Sequence, residues 1–476
     1  MRQFSALVLG ALMLAGCTSI EAASPPPAEE WVTTADEGEK LAPQPLQQPL
    51  GPASGDEAIA IDTSKHFQKM HGYGAAMTDA SALVLSSLPQ DRRRAIMTEL
   101  FGRANGGLGL SFTRLTVGAS DFSTSDYSYD DTPGNVPDPE LRNFSIEPAK
   151  KYVLPRVREA LAINPDLLVM ISPWSAPAWM KSTKSLIKGE LVPQYYPAFA
   201  NYLAKTVQAF GREGVPVSML TIQNEPNFEP DNYPGERVDP PQRAKIIGHF
   251  VGPTFRSLGL RTKILDWDHN WDHPEMPLGV LGDPVARSYI SGVAWHCYEG
   301  DVTAQGPVHD AYPDKEAWDT ECSGGEWSPK FGEVLGWMTD ELIIGAANYW
   351  SRGTLLWNLA LDPAHGPHTG GCEDCRGVVT IDPNSGAITR NVEYYVLGHA
   401  SRFVLPGAYR VAAAKKEGEG VNAAAFLNPD GSRVAILHRK SGDGPVAIAL
   451  DGVRYSVALP KGAVATLRWS ARRTVR

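Results

Sequence analysis

Residues 217–226 read Val-Ser-Met-Leu-Thr-Ile-Gln-Asn-Glu-Pro. A short apolar run that stops abruptly at Asn224-Glu225-Pro226 suits a strand buried on both faces, with its C-terminal end opening onto a cleft. Seven more runs of this kind flank it, at 70–76, 111–117, 167–172, 262–265, 292–295, 317–320 and 354–359. Longer amphipathic stretches separate them, clearest at 79–101, 148–163, 193–210, 240–258 and 331–349. Several of these start at or near proline, which suits a first helical turn. Eight strands alternating with helices predict the α/β class and a (β/α)8 TIM barrel over residues 66–403.

Polar and aromatic residues gather just after these runs. They are Arg114 and Asp121, Trp174, Asn224 and Glu225, Asp266 and Asp268, His296 and Tyr298, Glu321, and Trp357-Asn358. In a closed barrel all eight strand ends share one face, where this fold builds its active sites. The ends of the chain read differently. Residues 31–41 and 58–62 are β-like, and so is 409–469, with a turn-rich Asn428-Pro429-Asp430-Gly431-Ser432 between two apolar runs. The expectation is a side β-sandwich built from both chain ends, residues 31–65 and 404–476.

Glu225 closes the fourth run and Glu321 the seventh, so the barrel should bring them to face each other. Two carboxylates about 5–5.5 Å apart can cleave a glycosidic bond with retention, one protonating the leaving oxygen and the other attacking the anomeric carbon. With these residues in place, the sequence resembles glycoside hydrolase family 30, the glucosylceramidase-like retaining β-glycosidases. The resemblance runs from about residue 65 to the C-terminus. It rests on His71-Gly72-Tyr73-Gly74-Ala75-Ala76-Met77-Thr78-Asp79-Ala80, Arg114, Ser120-Asp121-Phe122-Ser123, Ser172-Pro173-Trp174-Ser175-Ala176-Pro177-Ala178-Trp179-Met180-Lys181, Gln223-Asn224-Glu225-Pro226, His296, Tyr298, Glu321-Cys322 and Trp357-Asn358-Leu359-Ala360-Leu361.

The resemblance implies Glu225 as acid/base and Glu321 as nucleophile, with Asn224 on the sugar 2-hydroxyl. It places Asp121 and Trp174 on the distal hydroxyls and Trp357 beneath the ring. Arg114, His296 and Tyr298 are expected around Glu321, keeping it ionised while the proton rests on Glu225. It implies hydrolysis of β-linked glucose, in a β-glucan (β-1,6-linked among the options) or a glucosylceramide-like β-glucoside. A β-xyloside remains an alternative, and so does a non-catalytic glycan-binding lipoprotein. No metal or organic cofactor is required. Cys297 and His368 depart from the family's glucosylceramidases, which carry Trp and Asn there, so the aglycone side differs.

Composition narrows the partners. The formal net charge is −10 and no basic stripe occurs, which argues against nucleic acid. Twelve tryptophans suit stacking on sugar faces. The N-terminus pairs Arg2 with an apolar run at 4–14, too short to span a bilayer. It ends Leu14-Ala15-Gly16-Cys17, which resembles a bacterial lipobox. Residues 1–17 are therefore expected to be a lipoprotein signal ending at an acylated Cys17, with 18–30 as a tether. The protein is expected to be exported and anchored in the membrane of the cell envelope, and Thr18-Ser19 suits an outer membrane. Of the five cysteines, Cys372 and Cys375 are read as a disulfide, favoured over a zinc site with His365 and His368.

Overall fold

The computed structural model describes residues 25–442 and 444–471; the lipobox and Cys17 lie outside them. Eight parallel strands close into a barrel: Gly72–Ala76, Phe112–Val117, Leu168–Pro173, Met219–Thr221, Lys263–Asn270, Ile290–His296, Glu316–Glu321 and Ser351–Asn358. The first two strands approach so closely that a Cβ on Gly74 would lie 1.8 Å from the Phe112 carbonyl oxygen. Only glycine fits there.

The barrel interior is layered by the two-residue period of its strands. Phe112, Met170, Met219, Leu265, Ala294, Trp318 and Leu355 form one buried apolar layer. Two positions further along six of these strands come Arg114, Ser172, Thr221, His296, Thr320 and Trp357, all buried. The site therefore rests on a dry, packed floor.

Proline shapes the helices more sharply than the pattern suggests. The stretch expected as one helix over 79–101 divides into Asp79–Ser87 and Gln90–Phe101, because Pro89 drives Leu88 into extended backbone (ψ 143°). The helices expected at 240–258 and 331–349 each contain a π-turn, Ile247–Val251 and Thr339–Gly345.

Strands from both chain ends form one nine-stranded sheet, in which Ala28–Thr33, Ala42–Gln47 and Ile59–Lys69 join six strands between Tyr409 and Trp469. It packs against the helix Val392–Ser401 that follows the barrel. There His399 lies buried between the hydroxyls of Thr33 (2.8 Å) and Thr466 (2.9 Å). Among the described residues no helix is long and apolar enough to cross a membrane.

Candidate active site

Glu225 and Glu321 line a single cleft of about 850 Å³ together with Asp121, Tyr233, His269, Tyr298, Trp327 and Trp357. Asn224 follows the fourth strand, its N–H donating to the Pro173 carbonyl at 2.8 Å, and the Glu225 N–H donates to the Asp268 carbonyl at 3.0 Å. Glu225 itself has φ +46°, a left-handed backbone that a residue other than glycine adopts only when its surroundings fix it. Glu321 ends the seventh strand, where a register shift from Asp319 to Glu321 turns its side chain into the cleft.

Arg114 ties Glu321 to Asn224 and to the buried Asp268. It donates to Glu321 Oε2 (2.5 Å), to Asn224 Oδ1 (2.7 Å) and to Asp268 Oδ2 (2.7 Å). Because Arg114 takes the Asn224 oxygen, the Asn224 amide nitrogen remains a donor for a sugar hydroxyl. The Tyr298 hydroxyl donates to Glu321 Oε1 at 2.9 Å. His296 differs from the expectation. Its Nδ1 lies 3.0 Å from Glu225 Oε1 and its Nε2 3.0 Å from Asp268 Oδ1, so its hydrogen bonds go to the acid/base candidate while its charge still acts on Glu321.

Asp268 is the hub beneath the site. It is fully buried and accepts from Arg114, Ser172 (2.8 Å), Thr221 (2.5 Å), Thr320 (2.7 Å) and His296. Burial alone would push its carboxyl up, but Arg114, His296 and the hydroxyls hold it far below the usual range. Its neighbour Asp266 does not join the site, being paired with buried Arg243 at 2.9 Å.

The expected resting charges also change. Burial raises Glu225, yet His269 and His296 outweigh it and hold this carboxyl low. For Glu321, burial and the charge of Glu225 prevail over His296 and Arg114, and its pKa is raised. His296 is pushed up to about 9: burial opposes its charge, but Glu321, Asp268 and Glu225 all favour it. The surroundings thus favour the charged forms of both partners of this hydrogen bond, His296 and Glu225.

Trp357 lines the cleft and Trp174 is buried against it. Trp174 and Trp357 stack at 4.9 Å, with the Arg114 guanidinium 4.8 Å and 5.6 Å from their respective ring centres. Asp121 receives a long contact from the Trp357 indole N–H (3.5 Å), while its buried Oδ1 has no partner. Burial pushes Asp121 up to about 8. Donor hydroxyls of a bound sugar would satisfy that oxygen. The loop after the eighth strand closes over it: the Thr369 N–H donates to the Asp121 carbonyl at 2.8 Å, and a Cβ on Gly371 would strike the Asp121 side chain at 2.6 Å. The same loop carries the Cys372–Cys375 disulfide. A second disulfide, Cys297–Cys322, joins the ends of the sixth and seventh strands beside Tyr298 and Glu321.

A (β/α)8 barrel with carboxylates after strands four and seven, above an arginine and beside stacked tryptophans, defines a barrel glycosidase. The comparisons agree. The glycosyl hydrolase family 30 TIM-barrel domain matches residues 70–404 and the family's beta sandwich domain residues 407–467. The chain belongs to glycosyl hydrolase family 30 and is a glycoside hydrolase. It is 34% identical to an endo-1,6-beta-D-glucanase of Aspergillus fumigatus, over 85% of this chain and 86% of that one. It is 29% identical to the lysosomal acid glucosylceramidase of Mus musculus, over 82% and 79%. The solved structure of the endo-beta1,6-glucanase BT3312 superposes with a TM-score of 0.85 at 32% identity, covering 93% of this chain and 99% of that one.

Proposed function

We propose that this protein is an endo-acting, retaining β-1,6-glucanase in which Glu225 is the general acid/base and Glu321 the nucleophile. The observation that carries the reading is the placement of both carboxylates on one cleft, Glu321 held by Arg114 and Tyr298 and Glu225 facing His296. The choice of linkage is supported by the endo-1,6-glucanase relatives at 33–34% identity.

In the first step Glu321 attacks the anomeric carbon from one face while Glu225 protonates the departing oxygen. The proton crosses the 3.0 Å bond from His296 Nδ1 to Glu225 Oε1. A sugar entering the cleft displaces water, which disfavours the imidazolium–carboxylate ion pair relative to its neutral form. Esterification removes the charge of Glu321, and Glu225, again ionised, deprotonates the water that releases the sugar. Asn224 and Asp121 hold hydroxyls as the ring flattens, with Trp357 beneath it.

Because the proton is shared, the pH profile of kcat/KM should be broad. Its acid limb reports Glu321, whose protonation removes the nucleophile at a pH above that of an ordinary glutamate. Its alkaline limb reports loss of the His296–Glu225 proton, with an apparent midpoint drawn towards the histidine's value of about 9. An alkaline midpoint no higher than ~6.5, that of a free imidazole, would show that His296 is not held protonated as the proton's source.

Linkage is tested on purified protein with β-1,3-, β-1,4- and β-1,6-glucans, aryl β-glucosides and aryl β-xylosides. Release of oligosaccharides from β-1,6-glucan should dominate. Turnover confined to another linkage, or to xylosides, would refute the assignment. One feature favours a second reading, a glucolipid substrate. A 310 Å³ groove lined by Val334, Trp337 and Met338 meets the cleft at Tyr298 and Trp327. Turnover of alkyl β-glucosides that rises with chain length and exceeds turnover of glucan would establish that reading instead.

We also propose that the protein is exported and held to the cell envelope by an acylated Cys17, on the strength of Leu14-Ala15-Gly16-Cys17. Cys17→Ser should give soluble protein or unprocessed precursor. Wild-type protein recovered free of membrane would contradict the anchor.

A further inference from the structure

Beside the acid/base residue, three side chains turn ligand atoms towards one point. Glu225 Oε1 lies 3.0 Å from His296 Nδ1 and 3.4 Å from His269 Nδ1, and all three atoms fall within 4.8 Å of one another. Two imidazoles and a carboxylate form a ligand set that binds zinc in other enzymes, leaving a fourth position for water. Tetrahedral ligands at ~2.1 Å from an ion stand about 3.4 Å apart, close to the spacing here. His269 is only 8% exposed, and its buried Nδ1 has no contact closer than the 3.4 Å to Glu225 Oε1. His296 is oriented from behind: Asp268 Oδ1, 3.0 Å from its Nε2, fixes a proton there and leaves Nδ1 to face the cluster. Glu225 and His269 both line the open cleft, so an ion can reach them from solvent.

We propose that Glu225, His269 and His296 form a binding site for a divalent transition-metal ion such as Zn²⁺, and that an ion seated there reversibly inhibits the enzyme. Loading displaces the proton from His296 Nδ1 to solvent and forms bonds from that nitrogen, from His269 Nδ1 and from Glu225 Oε1. The acid/base carboxylate then holds a metal where it needs a proton. Imidazole nitrogens favour zinc, cobalt, nickel and copper over magnesium and calcium, so the inhibition is selective.

The inhibitory half rests on Glu225 as acid/base; the binding half does not, and direct binding separates the two. Purified metal-free protein is titrated with Zn²⁺ by calorimetry and with Co²⁺ by visible absorption. One ion per chain is expected, with the strong visible bands of tetrahedral Co²⁺. Turnover should fall with the same midpoint and return on adding a chelator, and Mg²⁺ or Ca²⁺ should do nothing. His269→Asn and Glu225→Gln, each checked for an unchanged melting curve, should weaken Zn²⁺ binding by at least the roughly 100-fold that loss of an outer-shell partner can cause. Failure to bind Zn²⁺ at millimolar concentration, or undiminished binding in both variants, overturns the site. Binding that disappears in both variants but leaves wild-type turnover unaffected keeps the site and refutes Glu225 as acid/base.

Discussion

Glu321→Gly should lose turnover on β-glucosides by about 10⁵–10⁶-fold while keeping the wild-type circular dichroism spectrum, because removing a nucleophile takes away a covalent step that little else can replace. The deletion also leaves a space below the anomeric carbon, flanked by the Arg114 guanidinium and the Tyr298 hydroxyl. Azide is small, anionic and needs no general base. It should restore measurable turnover of an activated aryl β-glucoside and yield the α-glucosyl azide. Residual activity within tenfold of wild type, or a β-configured azide product, would remove Glu321 from the nucleophile's role.

The second large effect falls on a residue that touches no sugar. Asp268→Asn keeps the shape of the side chain but removes the charge that Arg114 and His296 share. It also places an amide donor among groups that are themselves donors. Breaking one partner out of a buried ionic network costs about 3–5 kcal/mol, so the melting temperature should drop. With the orienting carboxylate gone, His296 loses one of the groups that favour its charge and its alignment on Glu225. A fall in kcat on the order of 10²–10⁴ follows, in the range seen when an acid–base residue loses its proton partner. The alkaline limb of the pH profile should also move down, because Asp268 is one of the groups that keep His296 protonated. A variant that is less stable but keeps the wild-type pH profile would confine Asp268 to a structural role.

Much of this architecture is legible along the chain because barrel strands repeat every two residues. Phe112 with Arg114, Met170 with Ser172, and Trp318 with Thr320 place an apolar residue in the floor and a polar one in the site. The fifth strand is harder to read. Its expected end at 265 falls short of Asn270, since Asp266-Trp267-Asp268-His269-Asn270 is too polar to suggest a buried strand. A register shift between Trp267 and His269, with φ of +78° at Trp267 and +59° at Asp268, sends Asp268 inward and Asp266 out to Arg243. Alternation cannot reveal such a bulge.

The same limit hides His269, whose significance depends on Glu225 lying 3.4 Å away across a strand boundary. The cysteines divide in the same way. Cys372 and Cys375 are close enough in sequence to suggest pairing, whereas Cys297 and Cys322 meet only because the sixth and seventh strands are neighbours. The partner of His296 depends on which way its ring faces, and that is set by Asp268.

The proposal gives Glu321 the sugar and Glu225 the proton, and the most direct measurement of that division uses Glu225→Gln. The substrate is an aryl β-glucoside whose leaving group needs no protonation. The first step should then run and the second stall, and peptide mass spectrometry should find one hexose esterified to Glu321. A hexose at position 225, on Asp121 or on Asp319, or no covalent adduct despite full release of the aryl group, would contradict the assignment.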